Sequence, residues 1–201
     1  MGDLYLLHFR KNPFKPKTTD SRHNMVVYTN EIKYLGPVTA PGVVWVSDVT
    51  YVWIDKKWCY LALVMDQGTR KIVGFAMSQT LHKELCIEAL QMALKSNPTP
   101  KYHHSDRGSQ YCSHEYIRIL VDNTIIPSMA DVGMSVDNPY AESLNRSIKV
   151  ECVYLNCYES FQEACASIAA YISVYNTTRL HSSLGFVSPY EYEAKLLANV
   201  A

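Results

Sequence analysis

Residues 43–52, VVWVSDVTYV, are β-branched or aromatic almost throughout, and both alternating faces are apolar. Such a run belongs in the middle of a sheet that is covered on both sides. One acid, Asp48, stands inside it. A buried carboxylate without a partner costs several kcal/mol, so the fold must give it a donor or a positive charge. A bond to neighbouring backbone or to an arginine accounts for an isolated strand aspartate. The question is which other acids the chain brings to the same place.

Two further strand-like runs, 57–66 and 71–79, are joined by QGTR, with Gly68 for a tight hairpin. Leu85, Ala89, Met92 and Ala93 predict a helix over 82–95, ended by Asn97, Pro98 and Pro100. A fourth strand is expected at 101–106, a short helix at 114–122 and a fifth strand at 125–129. Helices follow at about 138–153 and 160–176, and Pro189 opens another short one. Ser160 and Glu163 form a capping box, and Phe161, Cys165, Ile168, Ile172 and Tyr175 make the apolar stripe of that helix. Hairpins followed by β-α-β crossovers predict an α/β protein with a five-stranded mixed sheet and helices on its faces. This is the element order of the ribonuclease-H-like fold.

Two more acids take positions that matter. Asp106 ends the fourth strand and is followed by Arg107 and Gly108; open α/β sheets collect ligands at the carboxyl ends of their strands. Glu142 lies on the 138–153 helix, whose stripe is Ala141, Leu144, Ile148, Cys152 and Leu155. Glu142, Arg146 and Lys149 are spaced i, i+4, i+7 and share an adjacent face. Packing the stripe on the sheet brings Glu142 to the strand ends and presents Arg146 and Lys149 to something anionic. Three carboxylates from two strands and a helix suffice to hold a pair of Mg²⁺ ions about 3.5–4 Å apart for phosphoryl transfer. Asp66 reads as structural, Asp131 as a loop residue and Asp137 as an N-cap for the Glu142 helix. His104 shares a strand face with Asp106 and is a candidate to face metals or phosphate; His103 points the other way.

Four segments carry a resemblance: WVSDVTYV around Asp48, HHSDRGSQY around Asp106, SMADVGMSVDNPYAESLNRSIKVE around Glu142, and YNTTRLHSSLGFVSPYEYE at 175–193. With 35 residues between Asp106 and Glu142, the chain resembles the retroviral-integrase-like (DDE) transposases over roughly residues 15–195. More narrowly, it is similar to the catalytic, second-frame protein of two-frame bacterial insertion sequences. The resemblance implies a ribonuclease-H-like fold and DNA cleavage and strand transfer dependent on Mg²⁺ or Mn²⁺, with two ions. It implies Asp48, Asp106 and Glu142 as the catalytic and metal-binding triad. It places Arg146 and Lys149 where such enzymes contact DNA ends, and suggests Arg179 and His181 as further DNA contacts. The partners it implies are element-end and target DNA, other copies of the chain on that DNA, and a first-frame helix-turn-helix protein. The location it implies is the bacterial cytoplasm, on the nucleoid.

The overall charge balance is zero, with 19 basic and 19 acidic residues, but it is uneven. Residues 1–35 hold six basic and three acidic residues, and four of the nine prolines fall in the first 41. Residues 1–41 are therefore expected to form a basic arm, 42–157 the catalytic core, and 158–201 helices packed on that core. The arm either lies along DNA or packs Tyr28, Ile32, Tyr34 and Leu35 on the body. The longest apolar run, 58–65, is too short to span a membrane, and the N-terminus lacks the pattern of a signal peptide. Six cysteines without a CxxC pair are expected as reduced thiols; Cys112, His114, His103 and His104 fit no common structural zinc spacing. Residues 1–41 show no recognition-helix pattern. That keeps a second reading open: a non-catalytic, truncated transposase that binds DNA or a sister subunit and modulates transposition. A third is a ribonuclease-H-like nuclease unrelated to transposition.

Overall fold

The computed structural model of the protein describes residues 23–131 and 138–198. Its strands are β1 (Val44–Ile54), β2 (Lys57–Asp66), β3 (Ile72–Ser78), β4 (Tyr102–Ser105) and β5 (Ile126–Met129). Its helices are α1 (Lys83–Ser96), α2 (His114–Asp122), α3 (Pro139–Glu151), α4 (Phe161–Thr177) and α5 (Pro189–Ala198). The sheet order is β3-β2-β1-β4-β5. The first three strands are antiparallel neighbours, and β4 and β5 run parallel to β1. The run that is apolar on both faces therefore occupies the centre of the sheet, as its composition requires.

The two faces of β1 enter two separate cores. Val44, Val46, Val52 and Ile54 pack with Ala141, Leu144 and Ile148 of α3 and with Ile168 and Ile172 of α4. Trp45 and Val49 pack with Leu85, Ala89 and Leu90 of α1 and with Tyr116 and Leu120 of α2. The result is three layers, with α1 and α2 on one side and α3 and α4 on the other. Asp48 has the parity of Val44 and Val46, which turns it toward α3.

Local differences from the sequence expectation have simple causes. Helix α3 ends at Glu151 and Val153–Leu155 forms a 3₁₀ turn, so Leu155 leaves the stripe and is 69% exposed. The buried line of α4 runs Ala164, Ile168, Ile172, Tyr175; Cys165, one residue on, is rotated to the edge of that line and only half-buried. Ser160 caps α4 by accepting from Glu163 N–H at 3.1 Å, while the Glu163 carboxylate reaches back to Glu159 N–H at 2.8 Å. The N-cap of α3 is Asn138, whose amide donates to Ser47 O at 3.0 Å instead of capping the helix. Asp137, the expected cap, lies outside the described residues. All six cysteines are free thiols, four of them buried.

Asp66 ends β2 as a structural knot. Its carboxylate accepts from Gly42 N–H at 2.7 Å, Thr69 N–H at 2.9 Å and Thr69 Oγ at 3.0 Å, tying the entry of β1 to the β2–β3 turn. Of the N-terminal arm, residues 1–22 lie outside the described residues. The remainder lies against the body: Thr29 O accepts from Met129 N–H, Glu31 N–H donates to Ser128 Oγ, and Lys33 pairs with Asp131 at 2.7 Å. Tyr28 and Ile32 are half-buried there, whereas Tyr34 is 91% exposed. At the opposite edge of the sheet, Asn176 of α4 accepts from Ile72 N–H at 2.8 Å and donates to Ile72 O at 2.9 Å.

Helix α1 approaches β3 at Gly74. A Cβ there would lie 2.2 Å from Ala89 O and 2.9 Å from the Ala93 Cβ. Both obstacles are rigid, so a side chain must push the helix away. Gly74→Ala is expected to lower unfolding free energy by about 1–3 kcal/mol, read from the urea midpoint with an unchanged m-value.

Candidate active site

The parallel pairing of β1 with β4 sets the geometry. Val44 pairs with Tyr102, Trp45 with His103 and Val46 with His104. Two residues further along both strands, Asp106 comes level with Asp48 on the face turned to α3. Strands in a sheet lie about 4.8 Å apart, so the two acids are close neighbours. Asp106 Oδ1 accepts from Gly108 N–H at 2.9 Å, which orients its carboxylate. A Cβ at position 108 would lie 2.9 Å from that same oxygen, so a side chain there would push the Asp106 carboxylate out of this orientation.

Helix α3 supplies the rest. Glu142 sits in its first turn, where the helix dipole favours a negative charge. One turn on, the buried Asn145 donates its amide to Asp48 Oδ2 at 2.7 Å. Asp48 Oδ1 accepts from Val49 N–H at 2.8 Å. Lys149 places Nζ 3.9 Å from the centre of the Tyr51 ring, held over it by cation–π attraction. Asp48, Tyr51, Glu142, Asn145, Arg146 and Lys149 all line one cleft of about 350 Å³. Asp106 does not line that cleft and stands level with Asp48 in the sheet beneath.

Burial pushes the Asp48 carboxyl up to about 7; the Asp106 charge adds to this and Glu142 adds less, while the Val49 N–H and Lys149 oppose it. Asp48 keeps a narrow opening to solvent through the cleft, so the group can exchange protons. The Asn145 amide must turn its N–H to the carboxylate, which accepts only, and this leaves Asn145 Oδ1 buried without a donor. A buried carboxylate close to two other acids, beside an orphaned amide oxygen, is an oxygen-rich donor set. It suits a hard divalent cation. As the side chains stand, no three carboxylate, imidazole or thiol groups among the described residues close into a metal cage. Glu142 is exposed at the rim. Asn145 is the site residue that sequence reasoning missed. Its signal was a polar residue within the apolar stripe, one turn after Glu142.

The two histidines before Asp106 do not line the cleft. His103 is buried on the other face of the sheet, with Nε2 2.8 Å from Ser47 Oγ and 2.9 Å from the Tyr116 hydroxyl. Burial, aided by His104, lowers it to about 3, so the ring is neutral. His104 is buried with Nδ1 2.9 Å from Ser128 Oγ. Arg179 and His181 line a second cleft, of about 550 Å³, on the other flank of α3. Arg179 is gripped by the Glu151 carboxylate through Nε at 2.7 Å and Nη2 at 2.6 Å. His181 is buried, and burial first, then Arg179, lowers it to about 4. The structure thus gathers Asp48, Glu142, Arg146 and Lys149 at one cleft, sets Asp106 alongside, and puts Arg179 and His181 elsewhere. No helix among the described residues is long and apolar enough to cross a membrane.

Comparison with known proteins agrees with this architecture. Residues 38–135 match the integrase core domain family, and residues 123–189 match a second integrase core domain family. The chain is 40% identical over 196 residues to the insertion element IS600 uncharacterized 31 kDa protein of Shigella sonnei, covering 96% of this chain and 72% of that protein. It is 36% identical over 179 residues to the transposase InsF for insertion sequence IS3A of Escherichia coli K12, covering 88% of this chain and 62% of the transposase. The chain thus spans less than two thirds of that transposase. Among solved structures it is similar to a chain of the simian T-cell lymphotropic virus intasome in complex with PP2A regulatory subunit B56 gamma. The TM-score is 0.70 at 14% identity, over 88% of this chain and 61% of the viral one. It is also similar to the HTLV-2 integrase catalytic core domain in complex with magnesium, with a TM-score of 0.59 at 15% identity, over 77% of this chain and 97% of that domain. These cores share the five-stranded mixed sheet and its ribonuclease-H-like arrangement. By its fold, its site and its relatives, the chain belongs to the integrase-core (DDE) transposases of insertion sequences.

Proposed function

We propose that the chain carries out divalent-metal-dependent cleavage and strand transfer of DNA, with Asp48, Asp106 and Glu142 as the catalytic, metal-holding acids. The observation that supports this most is the β1–β4 register, which sets Asp106 level with Asp48 under the helix that carries Glu142. Magnesium or manganese, as two ions, would supply Lewis-acid polarisation of the phosphoryl oxygens. The chain's own residues do the remainder. Asn145 holds the Asp48 carboxylate in one orientation. Gly108 N–H does the same for Asp106. Arg146 and Lys149, on the cleft wall beside Glu142, receive the DNA backbone; Tyr51 under Lys149 keeps its ammonium aimed at the cleft. Arg179 and His181 belong to a wider DNA surface across α3.

In this reading residues 42–157 are the catalytic core, 158–201 buttress α3, and residues 1–41 are an arm whose basic stretch before His23 adds sequence-independent affinity for DNA while its later part lies against the body. The chain works as a homo-oligomer assembled on element ends and target DNA, in the bacterial cytoplasm on the nucleoid. A first-frame helix-turn-helix protein supplies end recognition. The second reading, a non-catalytic regulator, is disfavoured by the intact set of three acids.

Asp48→Asn, Asp106→Asn and Glu142→Gln are each expected to reduce Mg²⁺-dependent strand transfer to background, with circular dichroism unchanged. Near-wild-type activity in any one of them removes that residue from the triad.

Arg146→Ala and Lys149→Ala are expected to weaken duplex binding without loss of fold. Each should reduce the slope of log K against log salt by about 0.9, the value of one B-DNA phosphate contact. Titration at several salt concentrations measures this; unchanged slopes in both place the DNA elsewhere.

The raised Asp48 carboxyl fixes the sign of a pH effect. Between the unfolded value near 3.8 and the folded value of about 7, the folded chain binds more protons than the unfolded one. The contribution of Asp48 to stability therefore falls as pH rises through that window. Asp48→Asn removes the fall, and its new N–H can satisfy Asn145 Oδ1 once that amide turns over. Without metal, the variant should match wild type at pH 4 and melt higher at pH 8. Thermal melting at the two pH values checks it, and a variant that melts lower at pH 8 overturns the assignment.

A further inference from the structure

The second cleft has its own chemistry. It is bounded by the β2–β3 turn, the flank of α3 opposite the acidic cleft, and the segment after α4. Its volume of about 550 Å³ falls in the range of small-ligand sites. Arg70 enters it from the turn with the guanidinium 4.0 Å from the centre of the Tyr140 ring and one bond to Gln67 O. No carboxylate pairs with Arg70 among the described residues, and its charge bears on both Tyr175 and His181. Ser143 and Ser147 of α3 and Ser182 beyond α4 also line the cleft. None of these hydroxyls makes a hydrogen bond among the described residues.

Two lining residues hold backbone conformations that bulky side chains avoid. Arg70 has φ +62° and Phe186 φ +60°. Phe186 is also 70% exposed, so core packing does not account for its being aromatic. A guanidinium backed by an aromatic ring and with no carboxylate partner among the described residues, nearby serine hydroxyls and an exposed aromatic face are the elements that grip a phosphate and stack a base.

From this arrangement we infer that the second cleft binds one nucleotide of a DNA single strand, with Arg70 and the α3 serines on its phosphate and Phe186 stacked on its base. The inference rests on the DNA reading of the acidic cleft and extends it. Residues on one flank of α3 face the acids, and residues on the other flank face this cleft. A helix with its side chains is about 10–12 Å across, so a strand leaving the acids crosses the exposed Arg146 ridge and reaches Phe186. Arg179, held by Glu151, forms a wall of the cleft, and the neutral His181 lines it without adding charge.

The test uses the full chain and a labelled oligothymidylate single strand, with thymidine 5′-monophosphate as competitor. Arg70→Gly and Phe186→Gly remove the ligand groups while relieving the left-handed backbone, so neither should melt lower than wild type. Each is expected to weaken strand binding about tenfold, and Arg70→Gly should lower the salt slope by about 0.7. Phe186→Trp, which keeps a stacking face, should retain wild-type affinity, and the mononucleotide should fail to displace the strand. Unchanged affinity in both glycine variants overturns the proposal, as does loss of affinity in Phe186→Trp. Displacement by the mononucleotide at strand-like concentrations overturns it too, making this a free-nucleotide site. Strand transfer is assayed in parallel on duplex ends. If wild type lacks it while strand binding still depends on Arg70 and Phe186, the catalytic reading fails and the cleft stands. Active wild type with indifferent glycine variants removes the cleft alone.

Discussion

Like charges at level positions of a parallel ladder repel, and the β1–β4 register gives Asp48 and Asp106 no freedom to part. β1 is pinned by cores on two faces and β4 is hydrogen-bonded between β1 and β5, so backbone movement cannot relieve the conflict. The fold answers locally. Asn145 and the Val49 N–H hold one carboxylate, Gly108 N–H holds the other, and Lys149 lends a distant positive charge. These partners orient the acids but do not neutralise them. The remaining excess of negative charge is what a cation would relieve.

The opposite face of the sheet keeps that excess intact. His103 lies three residues before Asp106, yet its ring faces away and is neutral, shared between Ser47 and Tyr116. A protonated imidazole beneath the sheet there would have opposed the field of the acids. Burial against Tyr111 and Tyr116 prevents this, since a charge there would lack solvent or a counter-ion. The polar cluster under the site therefore supports its position without competing for its charge.

Most of the sheet was legible in the chain because period and punctuation agreed: β2 and α2 fall at the residues their patterns predict, and the QGTR turn forms the hairpin. The three candidate acids stood out because an acid in an apolar strand, an acid at a strand end and an acid beside an apolar helical stripe are each conspicuous. Asn145 was not, because a single amide on a buried face resembles an imperfection of the stripe until Asp48 is placed opposite it. The exposure of Leu155 escaped because the helix unwinds at Cys152, with no glycine or proline to mark the end. The second cleft was out of reach for a different reason. Arg70, Ser143 and Phe186 are far apart in sequence, and nothing local tells that a turn, a helix flank and a tail loop will meet.

The contacts of Asn176 with β3 and of Thr29 with β5 have a bearing on assembly. Each occupies backbone groups at an outer edge of the sheet with the chain's own residues. Exposed edges are the places where one protein adds a strand to another. Here an incoming strand would first have to evict a side chain at one border and a lead-in segment at the other. Contacts between copies are thereby steered toward helices and loops, and away from the edge-to-edge stacking that ends in fibres.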